Sequence, residues 1–238
     1  MVGSPRADTV SLILARSASI RFPDKNISYL GPKRLLEWVI SAALTSGVVG
    51  KVFVSTDSEQ YATIARNAGA VAIDRPQELT TDTATPEDAV AHALDCMSAA
   101  GEDPTVVALL QATTPLTRPQ TIERAVSAVR GEFDTSISIF LADKKPWWAL
   151  KMQEDGSLEP FMVLPKGSPY SAQVPPPVYY PTGGVYAFKT AFFRETHMIT
   201  GGKTCGVPAE WYEAIDIDYK HDLDFARFAL ERLNLKAE

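Results

Sequence analysis

The order of apolar runs along the chain predicts an α/β fold, in which helices cover the faces of a mostly parallel sheet. Two observations carry this. Up to residue 110, short apolar runs alternate with stretches of helical periodicity, the mark of parallel strands joined by crossover helices. Residues 105–110, Thr-Val-Val-Ala-Leu-Leu, show no polar alternation, so that strand belongs at the sheet centre with both faces covered.

The first strand is read over residues 10–15. After a polar loop, Leu35, Leu36, Val39, Ile40, Ala43 and Leu44 recur at helical spacing, and Gly47 stands where a left-handed cap ends a helix. A second strand over residues 51–55 leads to a helix over 59–67, stopped by Gly69, and a short strand over 71–74. Arg75-Pro76 breaks the pattern. Thr85-Pro86-Glu87-Asp88 starts the next helix, because Thr caps, Pro fits the first turn and two acids favour the positive end of the dipole; it runs to Gly101. Residues 119–130 form another helix. From Thr135 the pattern loosens, and residues 144–181, rich in Pro, Gly and Trp, read as an insertion beyond the main sheet. Residues 184–189 and 214–217 read as strands. Residues 220–233 form a terminal amphipathic helix with Leu223, Phe225, Ala226, Phe228, Ala229 and Leu230 inward.

With 45% apolar and 22% charged residues in 238, the chain has the profile of a globular protein with a sizeable core. Its 23 Lys and Arg against 29 Asp and Glu leave a net charge of −6, with no basic excess for a nucleic-acid backbone. No apolar stretch approaches the roughly 20 residues of a membrane helix, and the start at residues 1–6 is too polar for a signal peptide. The expected location is the cytoplasm. Cys96 and Cys205 stand far apart without a Cys-x-x-Cys pattern, so neither a zinc ribbon nor a disulfide framework is expected.

Three segments carry candidate chemistry. The loop after the first strand holds Arg16, Arg21 and Lys25 within ten residues, with small residues at 17–19 that let a backbone approach a ligand. Open α/β sheets place ligands at such strand ends, so the loop is either a triphosphate cradle or a solvated basic loop. It matches neither a Walker A nor a Gly-x-Gly-x-x-Gly pattern. In Ile215-Asp216-Ile217-Asp218, an extended backbone sends both carboxylates to one side. That is a pair suited to Mg²⁺ beside substrate phosphates, or simply the polar face of an edge strand. Gln111, Thr113 and Thr114 leave the central strand at its carboxyl end and either bond a polyhydroxylated ligand or serve as turn residues. His92, His197 and His221 are scattered and no Gly-x-Ser-x-Gly elbow occurs, so a Ser-His or Cys-His hydrolase is disfavoured.

Six motifs run in order over nearly the whole chain: Ile13-Leu14-Ala15-Arg16 with Lys25-Asn26; Val54-Ser55-Thr56-Asp57; Arg75-Pro76 with Glu78-Leu79 and Asp82-Thr83; Leu110-Gln111 with Thr114-Pro115-Leu116; Thr182-Gly183-Gly184-Val185-Tyr186; and Ile215-Asp216-Ile217-Asp218. Together they resemble the cytidylyltransferases that activate acidic sugars, the acylneuraminate (sialic acid) cytidylyltransferases and their relatives. The resemblance implies a single domain over residues 1–238 with the three-layer, Rossmann-like fold of nucleotide-diphospho-sugar transferases. It implies CTP as substrate, Mg²⁺ as cofactor and a homodimer in which the segment over residues 144–181 reaches the neighbouring subunit's acceptor site. By the same resemblance, Ala15, Arg16, Ser17, Arg21 and Lys25 hold phosphates, with Arg16, Arg21 and Lys25 stabilising the leaving pyrophosphate. Asn26 and Arg75 contact ribose and cytosine, while Asp82 and Thr83 complete the nucleotide site. Gln111, Thr113, Thr182, Gly183 and Tyr186 serve the acceptor, and Asp216 and Asp218 bind Mg²⁺.

The chain departs from sialate enzymes at several points. Ile20 stands where those enzymes usually carry Lys, and the pattern with Arg21 is more similar to octulosonate (Kdo) cytidylyltransferases. Trp148, Ala172 and Tyr180 replace acceptor-binding cations. Lys144, Lys145, Lys151 and Lys166 are the alternative carboxylate partners, and Trp147, Trp148 and Tyr170 are expected at the subunit interface or acceptor. The expected reaction is transfer of CMP from CTP to the anomeric hydroxyl of a nonulosonate-type 2-keto acid sugar. The alternatives are the same transfer to an octulosonate or other acceptor, and a non-catalytic nucleotide-binding relative.

Overall fold

The computed structural model describes residues 6–19, 21–81, 83–144, 146–162 and 177–234. In chain order the elements are β1 (Arg6–Leu14), the short pair β2 (Tyr29–Leu30) and β3 (Lys33–Arg34), α1 (Leu35–Thr45), β4 (Val49–Thr56), α2 (Glu59–Asn67), β5 (Val71–Asp74), α3 (Pro86–Ala99), β6 (Val106–Gln111) and α4 (Pro119–Arg130). There follow β7 (Thr135–Leu141), the hairpin β8 (Leu150–Met152) and β9 (Leu158–Pro160), β10 (Tyr179–Lys189), α5 (Thr190–Thr196), β11 (Thr204–Pro208) and α6 (Lys220–Arg232).

Seven strands form one sheet in the order β11-β7-β10-β6-β1-β4-β5. β10 runs antiparallel to both its neighbours, while the other pairings are parallel. Leu12 lies between Phe53 and Leu109 in register. Side chains alternate across the strands, so Val10 and Leu12 pack with Leu94, Met97 and Phe188 on one face, while Ile13 packs with Val39, Ile40 and Ile122 on the other. Both faces of β6 are buried, as its unbroken apolar run predicts. Each fully buried Leu or Ile here contributes about 1.5–3 kcal/mol relative to exposure.

The chain leaves β1 toward β4 and β5, then returns to the far side of β1 as β6. Strand order reverses there, which opens a crevice at the carboxyl ends of β1 and β6. A third cluster, with Leu30, Trp38, Ile215, Ile217, Leu223 and Ala226, packs α6 and the segment before it against α1 and so brings residues 215–218 to the crevice.

Four expectations need correction. Residues 214–217 are not a strand: a 3₁₀ turn spans Trp211–Ala214, and the segment after it bonds to the loop after β6 through Ile217 N–H to Thr113 C=O at 2.8 Å. The cause is Glu213, buried at 2% exposure, whose carboxylate accepts from the Arg118 amide (2.9 Å) and the Glu210 amide (3.0 Å) and ties the turn to the start of α4. Phe225 and Phe228 are exposed, because Leu223, Ala226 and Ala229 already fill the one stripe that α6 presents to the core. β10 begins at Tyr179, not Gly184, bending through an irregularity between Pro181 and Tyr186, so the insertion ends before β10. The loosened region after Thr135 contains the regular strands β7 and β11; Thr135, Ser136 and Ser138 are buried there, with hydroxyls spent on backbone or neighbouring hydroxyl groups.

Candidate functional site

The crevice is a cavity of about 630 Å³ walled by the loop after β1, the end of β6, the start of α3 and the segment before α6. At the end of β1 the Ala15 amide bonds to Ser55 C=O (3.0 Å) and its side chain joins the core. From Arg16 the loop turns over the cavity. Arg16 donates to the carbonyls of Thr80 (3.3 Å) and Thr81 (3.4 Å), across the mouth. Asn26, 5% exposed, lines the cavity and donates through Nδ2 to Arg16 C=O (3.1 Å); its buried Oδ1 has no hydrogen-bond partner among the described residues.

Arg75, also 5% exposed, donates through Nε to Ser55 Oγ (3.0 Å) and through Nη2 to Ser55 C=O (2.8 Å), and lines the cavity. Burial pushes its pKa down to about 10, with the charge of Asp57 opposing that shift, so it remains a cation at neutral pH.

On the opposite wall Asp218 is gripped by two cations, Arg21 Nη2 to Oδ2 and Lys25 Nζ to Oδ1, each at 2.7 Å. The hydrogen bond from Lys25 holds the Asp218 carboxyl below the usual carboxylate range against the opposing effect of burial, and the charges of Lys25 and Arg21 add to the lowering. Asp216 behaves oppositely. Although its surface is open to the cavity, protein atoms crowd it, and burial raises its carboxyl above the usual range. A hydrogen bond from Thr113 works against that rise, while the charge of Asp218 adds to it. Asp222 accepts from the amides of Asp218 (3.0 Å) and Tyr219 (2.7 Å), which fixes the acidic segment to the amino end of α6.

Thus Arg16, Arg21, Lys25, Asn26, Arg75, Gln111, Thr113, Asp216 and Asp218, which span most of the chain, share one cavity. The other expected residues are placed differently. Ala15 is core. Ser17 gives its amide and hydroxyl to Asp57, each at 2.8 Å. Thr83 is exposed, with its hydroxyl 3.1 Å from that of Thr81, and Thr81 rather than Thr83 lines the cavity. Thr182 is buried with its hydroxyl 2.5 Å from Ser138 Oγ, accepting also from the Gly184 amide, so it is spent on the fold. Gly183, at φ +80°, lies beside Gln111; a Cβ on Gly184 would come within 2.5 Å of Thr117 Oγ1, so the backbone there needs glycine. Tyr186 stands behind the wall, its hydroxyl pKa raised by burial and then by Asp216. Asp82, Lys145, Lys166, Tyr170 and Ala172 lie outside the described residues. Trp148 and Tyr180 are exposed away from the cavity lining, Lys144 is likewise exposed, and Lys151 pairs with Glu159 on the hairpin. Sequence reasoning quoted Asp57 within a motif but gave it no role, and it missed Thr81 and Asp222; the partners of all three are revealed only by folding.

A different grouping pairs His92 Nε2 with Cys96 Sγ at 3.5 Å on α3, but burial raises the thiol pKa, so it is no activated nucleophile. Among the described residues no cluster of three or more His, Cys, Asp or Glu is poised to hold a metal. Among the same residues no helix is long and apolar enough to cross a membrane.

The family model for cytidylyltransferases matches residues 10–146, which carry the loop, Arg75 and the end of β6. The chain belongs to the cytidylyltransferase family. It is 31% identical over 217 residues to the N-acylneuraminate cytidylyltransferase of Streptococcus agalactiae serotype V, covering 90% of this chain and 51% of that protein. It is 33% identical over 153 residues to the CMP-N,N'-diacetyllegionaminic acid synthase of Legionella pneumophila, covering 63% of this chain and 65% of that one. The chain spans about half the length of the acylneuraminate relative. A structure of CMP:2-keto-3-deoxy-manno-octonic acid synthetase complexed with CTP superposes with a TM-score of 0.70 at 18% identity, covering 95% of this chain and 99% of that one. The three-layer, mostly parallel nucleotidyltransferase fold is therefore the one expected from the sequence.

Proposed function

We propose that this chain transfers CMP from CTP to the anomeric hydroxyl of an acidic 2-keto sugar of the sialic-acid class, releasing pyrophosphate. The observation that carries this reading is the convergence of Arg16, Arg21 and Lys25 with Asp216 and Asp218 on one cavity at the point where strand order reverses. The names of the relatives support CTP and a nonulosonate as substrates. In the transfer the anomeric oxygen bonds to the α-phosphorus and the bond from that phosphorus to the bridging oxygen breaks. The electron pair leaves on pyrophosphate, and the hydroxyl proton goes to solvent. Such a transfer asks mainly for positioning and charge. Arg16, Arg21 and Lys25 stabilise the pyrophosphate, Asn26 and Arg75 hold the nucleoside, and Gln111 and Thr113 face the acceptor.

Two carboxylates on one cavity wall, all hard oxygen donors, fit Mg²⁺, which takes one or two carboxylates and fills its remaining positions with water and phosphate oxygens. Asp216 and Asp218 would hold it. When bound, Mg²⁺ neutralises phosphate charge and lowers the pKa of a coordinated oxygen. A bound triphosphate would draw Lys25 and Arg21 from Asp218 and leave that carboxylate free to hold the ion.

The same reading makes the protein a homodimer of single-domain subunits, acting in the cytoplasm. The β8–β9 hairpin supports dimerisation: exposed Leu150, Met152 and Leu158 share one of its faces, since Met152 pairs with Leu158 in register, and Phe161 just beyond β9 is also exposed, apolar surface that suits a protein partner.

Pyrophosphate release from CTP and Mg²⁺ is to be measured across a panel of 2-keto acid sugars, with Asp218→Ala as the blank. Release with a nonulosonate, abolished in the variant, supports the reading. Release with an octulosonate alone moves the assignment to that acceptor, and a chain that does not bind CTP refutes it.

A further inference from the structure

The loop that arches over the cavity is tied at both ends to one neighbouring unit, the turn from β4 into α2. Near its start, Ser17 donates its amide to Asp57 Oδ1 and its hydroxyl to Asp57 Oδ2, both at 2.8 Å. Near its end, Asp24 holds a left-handed backbone at φ 53° and accepts from the fully buried Tyr61 hydroxyl at 3.1 Å. Arg16 and Lys25, two of the three cations of the loop, stand one residue from these two anchors.

Asp57 itself is fixed by the sheet. It follows Thr56, the last residue of β4, which pairs in register with Asp74. It precedes Ser58, whose side chain caps α2 by accepting from the Tyr61 amide at 3.4 Å. The helix start is thus served by Ser58, while both Asp57 oxygens turn the other way, to the loop. Asp57 is not among the residues that line the cavity. Its charge also reaches Arg75, which is bonded to Ser55 two residues earlier, and offsets part of the penalty of burying that guanidinium.

We infer that Asp57 is a positioning residue for nucleotide binding: it sets the phosphate-binding loop through Ser17 and supplies counter-charge to Arg75, without touching the nucleotide. The inference rests on the reading of the cavity as a CTP site. A purely structural Asp57 would lower the melting temperature when removed and leave the affinity of the folded protein for CTP unchanged; a positioning residue changes that affinity itself.

The test is calorimetric titration of CTP into the unchanged chain, Asp57→Ala, Ser17→Ala and the double variant, well below each melting temperature. Asp57→Ala is expected to raise the Kd for CTP about tenfold or more, through two lost charge-assisted hydrogen bonds. Ser17→Ala, which loses the hydroxyl bond and keeps the amide bond, is expected to raise it about threefold. The double variant is expected to bind no more weakly than Asp57→Ala, because once Asp57 is gone the Ser17 hydroxyl has lost its partner. A Kd within twofold of the unchanged chain in folded Asp57→Ala overturns the inference while the CTP reading stands, as do additive losses in the double variant. If Asp57→Ala does not fold, an unchanged Kd in Ser17→Ala overturns it equally. Absence of CTP binding by the unchanged chain overturns the reading of the cavity and this inference with it.

Discussion

Replacing Arg75 with Met separates a cation kept for a ligand from one kept for the fold. Its guanidinium is 5% exposed, and burial pushes its pKa down to about 10, well below the ordinary arginine range. At about 1.4 kcal/mol per pKa unit, this downward shift makes the charged form about 3 kcal/mol costlier in the folded protein. Against that stand two hydrogen bonds to Ser55, worth about 1.5–3 kcal/mol each when the donor is charged. Arg75→Met relieves the first and forfeits the second, and Ser55 C=O keeps the Ala15 amide as donor. The net loss of stability should therefore stay within about 3 kcal/mol, whereas breaking a buried structural ion pair costs about 3–5. The pH dependence has a definite sign. Above about pH 10 the folded chain releases the Arg75 proton, while the unfolded chain keeps it to higher pH. The wild-type protein therefore gains stability from this group as pH rises through that window, and Arg75→Met does not. Urea melts at pH 7.5 and 10.5, with CTP titrations on the same samples, check both points. The expected result is a modest stability loss with CTP affinity down about a hundredfold. A stability loss well above 3 kcal/mol with unchanged CTP affinity would refute the reasoning and make Arg75 a strut of the sheet.

Asp216→Asn should lower turnover by about 10²–10³ without lowering the stability of the free protein at pH 7. Its carboxyl is raised, so the stability this group contributes is present at low pH and lost as pH rises through the folded value; thermal melts against pH and a pyrophosphate assay test the two halves. Asp218→Asn should bind CTP a few times more tightly than the unchanged chain when EDTA removes divalent ions, because Lys25 and Arg21 no longer leave an ion pair to meet phosphate, while turnover disappears; weaker metal-free binding in calorimetry argues against the exchange. The depressed Asp218 carboxyl adds stability above its unfolded value that fades as pH falls through the folded one, so the acid arm of a stability profile should flatten in the same variant. Met152→Asp combined with Phe161→Asp should shift sedimentation at micromolar concentration from dimer to monomer, and an unchanged species would place the interface elsewhere.

Local signals alone determined much of the framework. The helices α2 and α4 run over the residues that periodicity and end signals mark, and Thr85 caps α3 as its sequence predicts, accepting from the Asp88 amide at 3.1 Å. The buried run of β6 and the cation-bearing loop after β1 were equally legible, because a strand buried on both faces and a ligand loop at its end each leave a compositional trace. The six ordered motifs pointed to the family because five of them lie on strand ends and loops, where identity is chemical rather than a matter of packing, and the sixth lies at the irregularity inside β10.

What tertiary structure alone decided depends on partners far apart in the chain. β7 hides from an apolar pattern since Ser136 and Ser138 bury hydroxyls that only the folded backbone satisfies. Residues 215–218 hold two carboxylates at the cavity without being a strand, because Glu213 reaches Arg118 on another element. Phe225 and Phe228 look inward by periodicity and face outward in the fold, since helix spacing names a face and the neighbouring element decides how wide it is. The grip of Arg21 and Lys25 on Asp218 crosses 197 and 193 residues, and the link from Ser17 to Asp57 joins the segments that follow β1 and β4. Residue type states what a group can do, and only the meeting of strand ends at the reversal of strand order sets which charges face one another.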